Sequence, residues 1–152
     1  MKWITRERPK TDRIACPWLI RRFIDPDAEI VYVADEKVLS LAAATGGHSF
    51  DAPGAEYAHR VLSSGVEWCT FETLVDAYGL GRNLALARLA KVVHAADISS
   101  DIDQDALGRG LLAIGVGGLD VEADDSRLLE RATFVYDALY QWCEREIRQP
   151  SG

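Results

Sequence analysis

The fold class is decided by the first 33 residues, MKWITRERPKTDRIACPWLIRRFIDPDAEIVYV. Residues 3–5 predict a short strand, and apolar residues at helical spacing after Thr11 predict a helix that ends near residues 25–26. Pro17 lies inside this pattern and either kinks the helix or marks its first turn. The β-branched and aromatic segment 29–33 predicts a buried strand. A strand, a helix and a second strand therefore follow one another.

Helical patterns dominate the rest of the chain. A third short strand is predicted at 48–51, and helices are predicted at 35–44, 70–79, 83–98, 104–117 (ended by Gly117 and Gly118) and 124–148. The last helix has a stripe of residues at helical spacing, which predicts a core-facing side: Leu128, Ala132, Val135, Tyr136, Leu139, Cys143 and Ile147. We expect an α+β fold in one compact domain, residues 1–152, with a small β-sheet and a larger helical part.

Composition excludes several classes of protein. The three cysteines are far apart, which fits neither a disulfide framework nor a zinc ribbon. The net charge of −7 disfavours general nucleic-acid binding. No apolar stretch is long enough for a membrane span, and the N-terminus shows no secretory signal, so we expect a cytoplasmic protein that does not bind membranes.

The charge is unevenly distributed. Residues 1–22 contain seven basic and two acidic side chains, although the whole chain is acidic. Four of these basic residues precede or begin the first predicted helix, where helix amides and cations together favour an anion: Arg6, Arg8, Lys10 and Arg13. The alternative is a solvated basic face that pairs with the acidic body of the same chain.

Two of the three histidines lie in the least regular region. His48, Asp51, Glu56 and His59 follow one another within twelve residues that contain few helix or strand signals. Histidines and carboxylates in such a segment are free to converge on a metal ion. The alternative is a polar surface loop.

The third histidine, His94, precedes Asp97 by one helical turn. Asp97 falls near the centre of the apolar face of the helix 83–98, where an acid is costly unless it is paired or binds a metal. The alternative is a helix-end cap or a salt bridge to an arginine. Glu72 is favoured in a first helical turn by the macrodipole alone, and Cys69 before it is a candidate for a thiolate of lowered pKa.

Several of these segments resemble the C-terminal domain of ChrB, a chromate-resistance protein family. The opening run from Trp3 to Asp25 carries the resemblance through Trp3, Thr5, Arg6, Pro9 and the whole segment 12–25. Later segments add to it: Phe50-Asp51, His59, residues 69–74, Val93-His94-x-x-Asp97 and residues 136–140. The resemblance spans essentially the whole chain.

The resemblance implies a role in chromate resistance, as a sensing or regulatory domain. Its motifs include the histidines and acids identified above as candidate ligands. We therefore expect one divalent transition metal (zinc, iron or manganese), bound by His59, Glu72, His94 and Asp97. We expect Asp51 to be a further ligand or a residue just outside the ligand shell. Chromate or a similar oxyanion is the expected partner of the basic segment. Family members carry an additional N-terminal region, so we expect no direct nucleic-acid contact from this domain alone. Self-association into homo-oligomers stays open.

Two other functions remain open from the sequence. A metal with an open coordination position would support an enzyme, with Glu72 or Asp51 as general base. Histidines with purely structural roles would instead indicate an interaction domain.

Overall fold

The N-terminal part of the chain forms a small parallel sheet. The structure is a computed structural model that describes residues 1–149. Strand β1 (Lys2–Arg6) lies between β2 (Glu29–Val33) and β3 (His48–Ser49), and both neighbours are parallel to it. Helix α1 (Asp12–Leu19) connects β1 to β2, and helix α2 (Val38–Thr45) connects β2 to β3.

The two connecting helices cover opposite faces of this sheet. Successive side chains of a strand point to opposite faces. Trp3 accordingly lies in the main core, to which α1 contributes, whereas Ile4 packs in a smaller cluster with Val38 and Ala42 of α2. The chain therefore leaves the sheet on one side after β1 and on the other side after β2.

Pro17 lies in the interior of α1. Proline has no amide hydrogen, so it cannot donate to the carbonyl of Arg13 four residues earlier. The hydroxyl of Tyr32 donates to that carbonyl instead, at 2.7 Å. The helix continues past Leu19 into a wider π-helical turn, Ile20–Ile24, before the chain turns toward β2.

The second part of the chain is mainly helical. A short hairpin that the sequence did not predict, β4 (Arg60–Val61) and β5 (Glu67–Trp68), leads into it. Four helices follow: α3 (Thr70–Ala77), α4 (Leu84–Asp97), α5 (Gly108–Val121) and α6 (Asp125–Arg148), with a 3₁₀ segment, Ser99–Gln104, after α4. The expected α+β class, with a small sheet and a larger helical part, is confirmed. Among residues 1–149, no helix combines the length and apolar character that a membrane crossing requires.

Two details of the predicted helices are wrong. Gly117 and Gly118 do not end α5, which continues to Val121. Gly118 instead allows close packing, because a Cβ atom there would lie 3.3 Å from the Leu128 side chain of α6. In α6 itself, Leu128, Tyr136 and Cys143 are buried as predicted, but Ile147 is exposed because the stripe extends past the core.

Arg8 joins the N-terminal segment to the corner between α5 and α6. Its guanidinium donates to the carbonyls of Leu119, Glu122 and Ala123 at 2.7–3.0 Å and pairs with Asp125 at 2.8 Å. The last carbonyls of a helix have no intrahelical donor, so a cation here satisfies them. Arg8 therefore has a structural role in the fold.

Replacing Arg8 with alanine should lower the free energy of unfolding by about 1–3 kcal/mol, because its charge-assisted hydrogen bonds to the backbone carbonyls are lost. The partial exposure of the Arg8–Asp125 pair limits the size of this loss. Urea denaturation measures this change. Arg109→Ala, which removes an exposed pair with Asp103, is the control and should stay within about 0.5 kcal/mol. Equal effects of the two substitutions would contradict the structural role.

The core face of α6 can be tested with two large apolar residues on the same helix. Leu129 is 3% exposed and Phe134 is 75% exposed. Leu129→Ala should cost about 2–5 kcal/mol through lost burial and the cavity left behind. Phe134→Ala should stay within about 0.5 kcal/mol. A large loss for Phe134→Ala, measured in the same denaturation experiment, would place that side of α6 in an interface.

Candidate metal centre

The candidate site lies at the carboxyl ends of β1 and β3. The segment after β1 leads to Asp12 at the start of α1, and the segment after β3 contains Asp51 and, further on, His59. β1 and β3 are neighbouring parallel strands, so the segments that follow them begin at the same edge of the sheet. The topology therefore brings together side chains that are far apart in sequence.

Asp12 is the most deeply buried acid of this group. Its carboxylate accepts hydrogen bonds from the amides of Thr70 (2.7 Å) and Phe71 (3.3 Å). These are the first two residues of α3, whose amides lack intrahelical acceptors and lie at the positive end of the helix dipole. The N-terminus of α3 thus binds a carboxylate of its own chain and fixes its orientation.

His59 lies among four carboxylates, and its Nδ1 is 3.8 Å from Glu67 Oε1. Its Nε2 is 2.8 Å from Asp97 Oδ2, 3.5 Å from Asp12 Oδ2 and 3.7 Å from Asp51 Oδ1. One ligand atom each from Asp12, His59 and Asp97 lies within 4.8 Å of the other two, which is close enough to surround one metal ion. The His59 side chain is 39% exposed, so this group opens to solvent on one side.

The proton on His59 is strongly held. Hydrogen bonds to Asp12 and Asp97 raise the pKa of His59 to about 11, against the opposing effect of burial. Burial raises the pKa of Asp12, and the negative charge of Asp97 adds to this rise. The group as it stands is therefore a protonated imidazole between two crowded acids, and the raised pKa of Asp12 favours the neutral form of that acid.

Asp51 adjoins this group but already has other partners. Its Oδ1 accepts a hydrogen bond from the Thr70 hydroxyl at 2.7 Å. Its Oδ2 lies 3.5 Å from the guanidiniums of both Arg6 and Arg13. Asp51 therefore occupies the position of an outer residue that orients its neighbours.

Glu72 and His94 belong to a second group. Glu72 contacts Nδ1 of His94 and accepts a hydrogen bond from the Cys69 amide at 3.0 Å, whereas Nε2 of His94 lies 2.7 Å from Asp101. The sequence placed His59, Glu72, His94 and Asp97 around one ion. The structure brings Asp97 to His59 and turns His94 toward Glu72, because side chains one turn apart on α4 face different neighbours.

Other predicted residues lie elsewhere. His48 pairs with Glu56 at 2.8 Å and packs against Trp3 with the two rings tilted. The prediction of a lowered pKa for the Cys69 thiol is wrong, because burial raises the pKa of this thiol well above its usual value. Of the four basic residues, Arg6 and Arg13 adjoin Asp51, whereas Arg8 binds the α5–α6 corner. Lys10 packs beside Gly115 of α5.

Asp12 is the main residue that the sequence analysis missed as a site residue. An acid at a predicted helix start is expected there as a cap, which by itself does not indicate a site. The signal was nevertheless present, since Asp12 precedes Cys16 by four residues and Leu19 by seven, and both are buried on the same helix face. An acid on the apolar face of a helix is costly unless it is paired or binds a metal, and this holds for Asp12 on α1 as it does for Asp97 on α4.

Comparison with known proteins agrees with the resemblance. Protein ChrB of Cupriavidus metallidurans is 34% identical over 139 residues, which cover 91% of this chain and 40% of that protein. The chain thus spans well under half the length of this relative. No solved structure matches the chain significantly. The family model described as the C-terminal domain of ChrB matches residues 3–143. The chain therefore belongs to the ChrB C-terminal domain family.

Proposed function

We propose that this chain is a metal-binding sensory or regulatory domain of chromate resistance. Asp12, His59 and Asp97 are its ligands, and Asp51 holds the surroundings in place. The chromate role rests on the family, and the metal role rests on the geometry at the carboxyl ends of β1 and β3.

The observation that carries the metal role is the charge balance around His59. Asp12 is fully buried and Asp97 is mostly buried, and His59 is the cation that neutralises both. Asp51 is balanced separately by Arg6 and Arg13. Two crowded acids therefore share one positive charge, and the raised pKa of Asp12 reflects the cost of ionising both in a low-dielectric site. A divalent ion in place of the His59 proton would balance them.

The ligand types restrict the metal to a class. Two carboxylates and one imidazole suit zinc, iron and manganese. The general order of affinities of protein sites for divalent metals does not identify which of the three is bound. His59 lies at the solvent side of the group, which leaves room for water or an anion on the ion. This is the position where a small oxyanion would bind.

Arg6 and Arg13 support the oxyanion part of the proposal. Both guanidiniums lie against Asp51, next to the metal ligands, and both keep some exposure. Guanidiniums present paired donors that match tetrahedral oxyanions such as chromate. Arg8 is excluded from this role by its bonds to the α5–α6 corner.

A binding function is favoured over an enzyme with Asp51 as general base by the state of that carboxylate. Asp51 has both oxygens engaged, by Thr70 and by two arginines. A carboxylate whose oxygens are already occupied is poorly placed to take a proton from water or substrate. Glu72, the other expected base, uses only Oε1 for its contacts with the Cys69 amide and His94, and it lies outside the Asp12–His59–Asp97 group.

Metal binding can be measured by titrating the protein with Mn²⁺ and following the electron paramagnetic resonance signal of the free ion. Wild-type protein should bind Mn²⁺ stoichiometrically, and His59→Ala and Asp97→Asn should each abolish this binding. Because the ion must displace the proton on His59, its affinity should rise with pH.

The matched control is His48→Ala, which also removes a histidine paired with one carboxylate, Glu56. This variant should bind Mn²⁺ like the wild type. Unchanged binding in both His59→Ala and Asp97→Asn would overturn the proposed ligand set and favour an interaction domain with structural histidines.

Oxyanion binding should appear as a rise in melting temperature with chromate or sulfate, since a ligand of the folded state stabilises it. The rise should shrink with added salt, which screens charges over about 8 Å at physiological ionic strength. Arg13→Gln should remove most of the rise, whereas Arg109→Gln, which alters a distant exposed pair, should retain it. An equal rise in both variants would place the anion elsewhere.

A further inference from the structure

A second set of metal-ligand side chains lies where α3 begins and α4 ends. Cys69 caps α3, Glu72 is in its first turn, and His94 is in the last turn of α4. Cys69 is fully buried and His94 is nearly so. One ligand atom from each of these three residues lies within 4.8 Å of the other two. A thiol, a carboxylate and an imidazole therefore converge at one point.

The fourth residue of this cluster, Asp101, holds the histidine ring from its far side. Its Oδ2 lies 2.7 Å from Nε2 of His94, while Nδ1 faces Glu72. Histidines that bind metals commonly donate their other ring nitrogen to a carboxylate, which fixes the ring orientation and raises the basicity of the ligand nitrogen. Asp101 is placed for this outer role.

The cluster is distinct from the Asp12–His59–Asp97 site. The two share no ligand, and consecutive amides at the start of α3 separate them: the Cys69 amide donates to Glu72, and the Thr70 amide donates to Asp12. On α4, His94 and Asp97 are three residues apart and point in different directions, so His94 belongs to the second cluster and Asp97 belongs to the first site.

The second cluster also has access to solvent. An open cavity of about 770 Å³ reaches Glu72, His94 and Asp101, and Lys91 and Gln104 line it further out. An ion can reach Glu72 and His94 by this route. Glu67, whose carboxylate lies 3.8 Å from Nδ1 of His59, also lines the cavity, which therefore extends to the edge of the first site. A metal site needs a path by which the ion enters, as well as suitable ligands and surrounding residues that orient those ligands.

We propose that Cys69, Glu72 and His94 form a second metal site, oriented by Asp101, for a borderline-soft divalent ion such as zinc. Thiolate ligands favour zinc over manganese, whereas carboxylates and imidazole accept either ion. The Cys69 thiol loses its proton when the metal–sulfur bond forms, as a coordinated thiol does. The domain then offers two neighbouring sites with different metal preferences.

Cobalt(II) is the probe that reports on the sulfur ligand. The full chain, freed of metal with a chelator, is titrated with Co²⁺, and a cobalt–thiolate charge-transfer band in the near ultraviolet is followed. Wild-type protein should show this band. Cys69→Ser should lose it while keeping the fold, because serine is a favourable helix cap. Cys143→Ser, which alters a buried cysteine of α6, is the matched control and should retain the band.

The same titration separates this inference from the first site. His94→Gln should remove the band, whereas His59→Ala should retain it, and zinc analysis should give two ions per chain in the wild type and one in each of these variants. One zinc in the wild type that persists in His59→Ala would support the second site and contradict the first. A wild-type protein without the band, or a band that survives in Cys69→Ser, would overturn the second site.

Discussion

The bond between the Asp12 carboxylate and the N-terminus of α3 is the interaction on which the candidate site depends. A buried carboxylate needs donors, and the first amides of a helix need acceptors, so each satisfies the other. The bond also joins the sheet-forming part of the chain to the helical part. It places Thr70 against Asp51 and leaves a second face of Asp12 toward His59.

The basic N-terminal segment has more than one role in this arrangement. Arg6 and Arg13 neutralise Asp51, and Arg8 satisfies the carbonyls at the end of α5. The alternative of pairing with acids of the same chain therefore describes all three arginines, and anion binding by Arg6 and Arg13 is a proposal in addition to that pairing. A cluster of like charges in sequence was divided among separate partners by the fold, because each buried acid or helix end needs its own cation or donor.

The start of α3 and the end of α4 supply residues to both clusters. Cys69 and Glu72 face one side and Thr70 faces the other, while His94 and Asp97 divide in the same way on α4. The geometry of both clusters therefore depends on how the same two helices pack.

Local patterns in the sequence determined the class of fold, most of its helices and the choice of His59 and Asp97 as candidate site residues. The stripe of α6 and the Asp124 side chain that caps it act within a few residues, and the cost of an acid on the apolar face of α4 is evident from helical spacing alone. Only the tertiary structure decided which acid meets which histidine. Asp12 reaches Thr70 across 58 positions and resembled an ordinary cap, and His94 and Asp97 separated into two clusters. Spacing fixes the direction of a side chain from its own helix, but the neighbour that it meets depends on how distant segments pack.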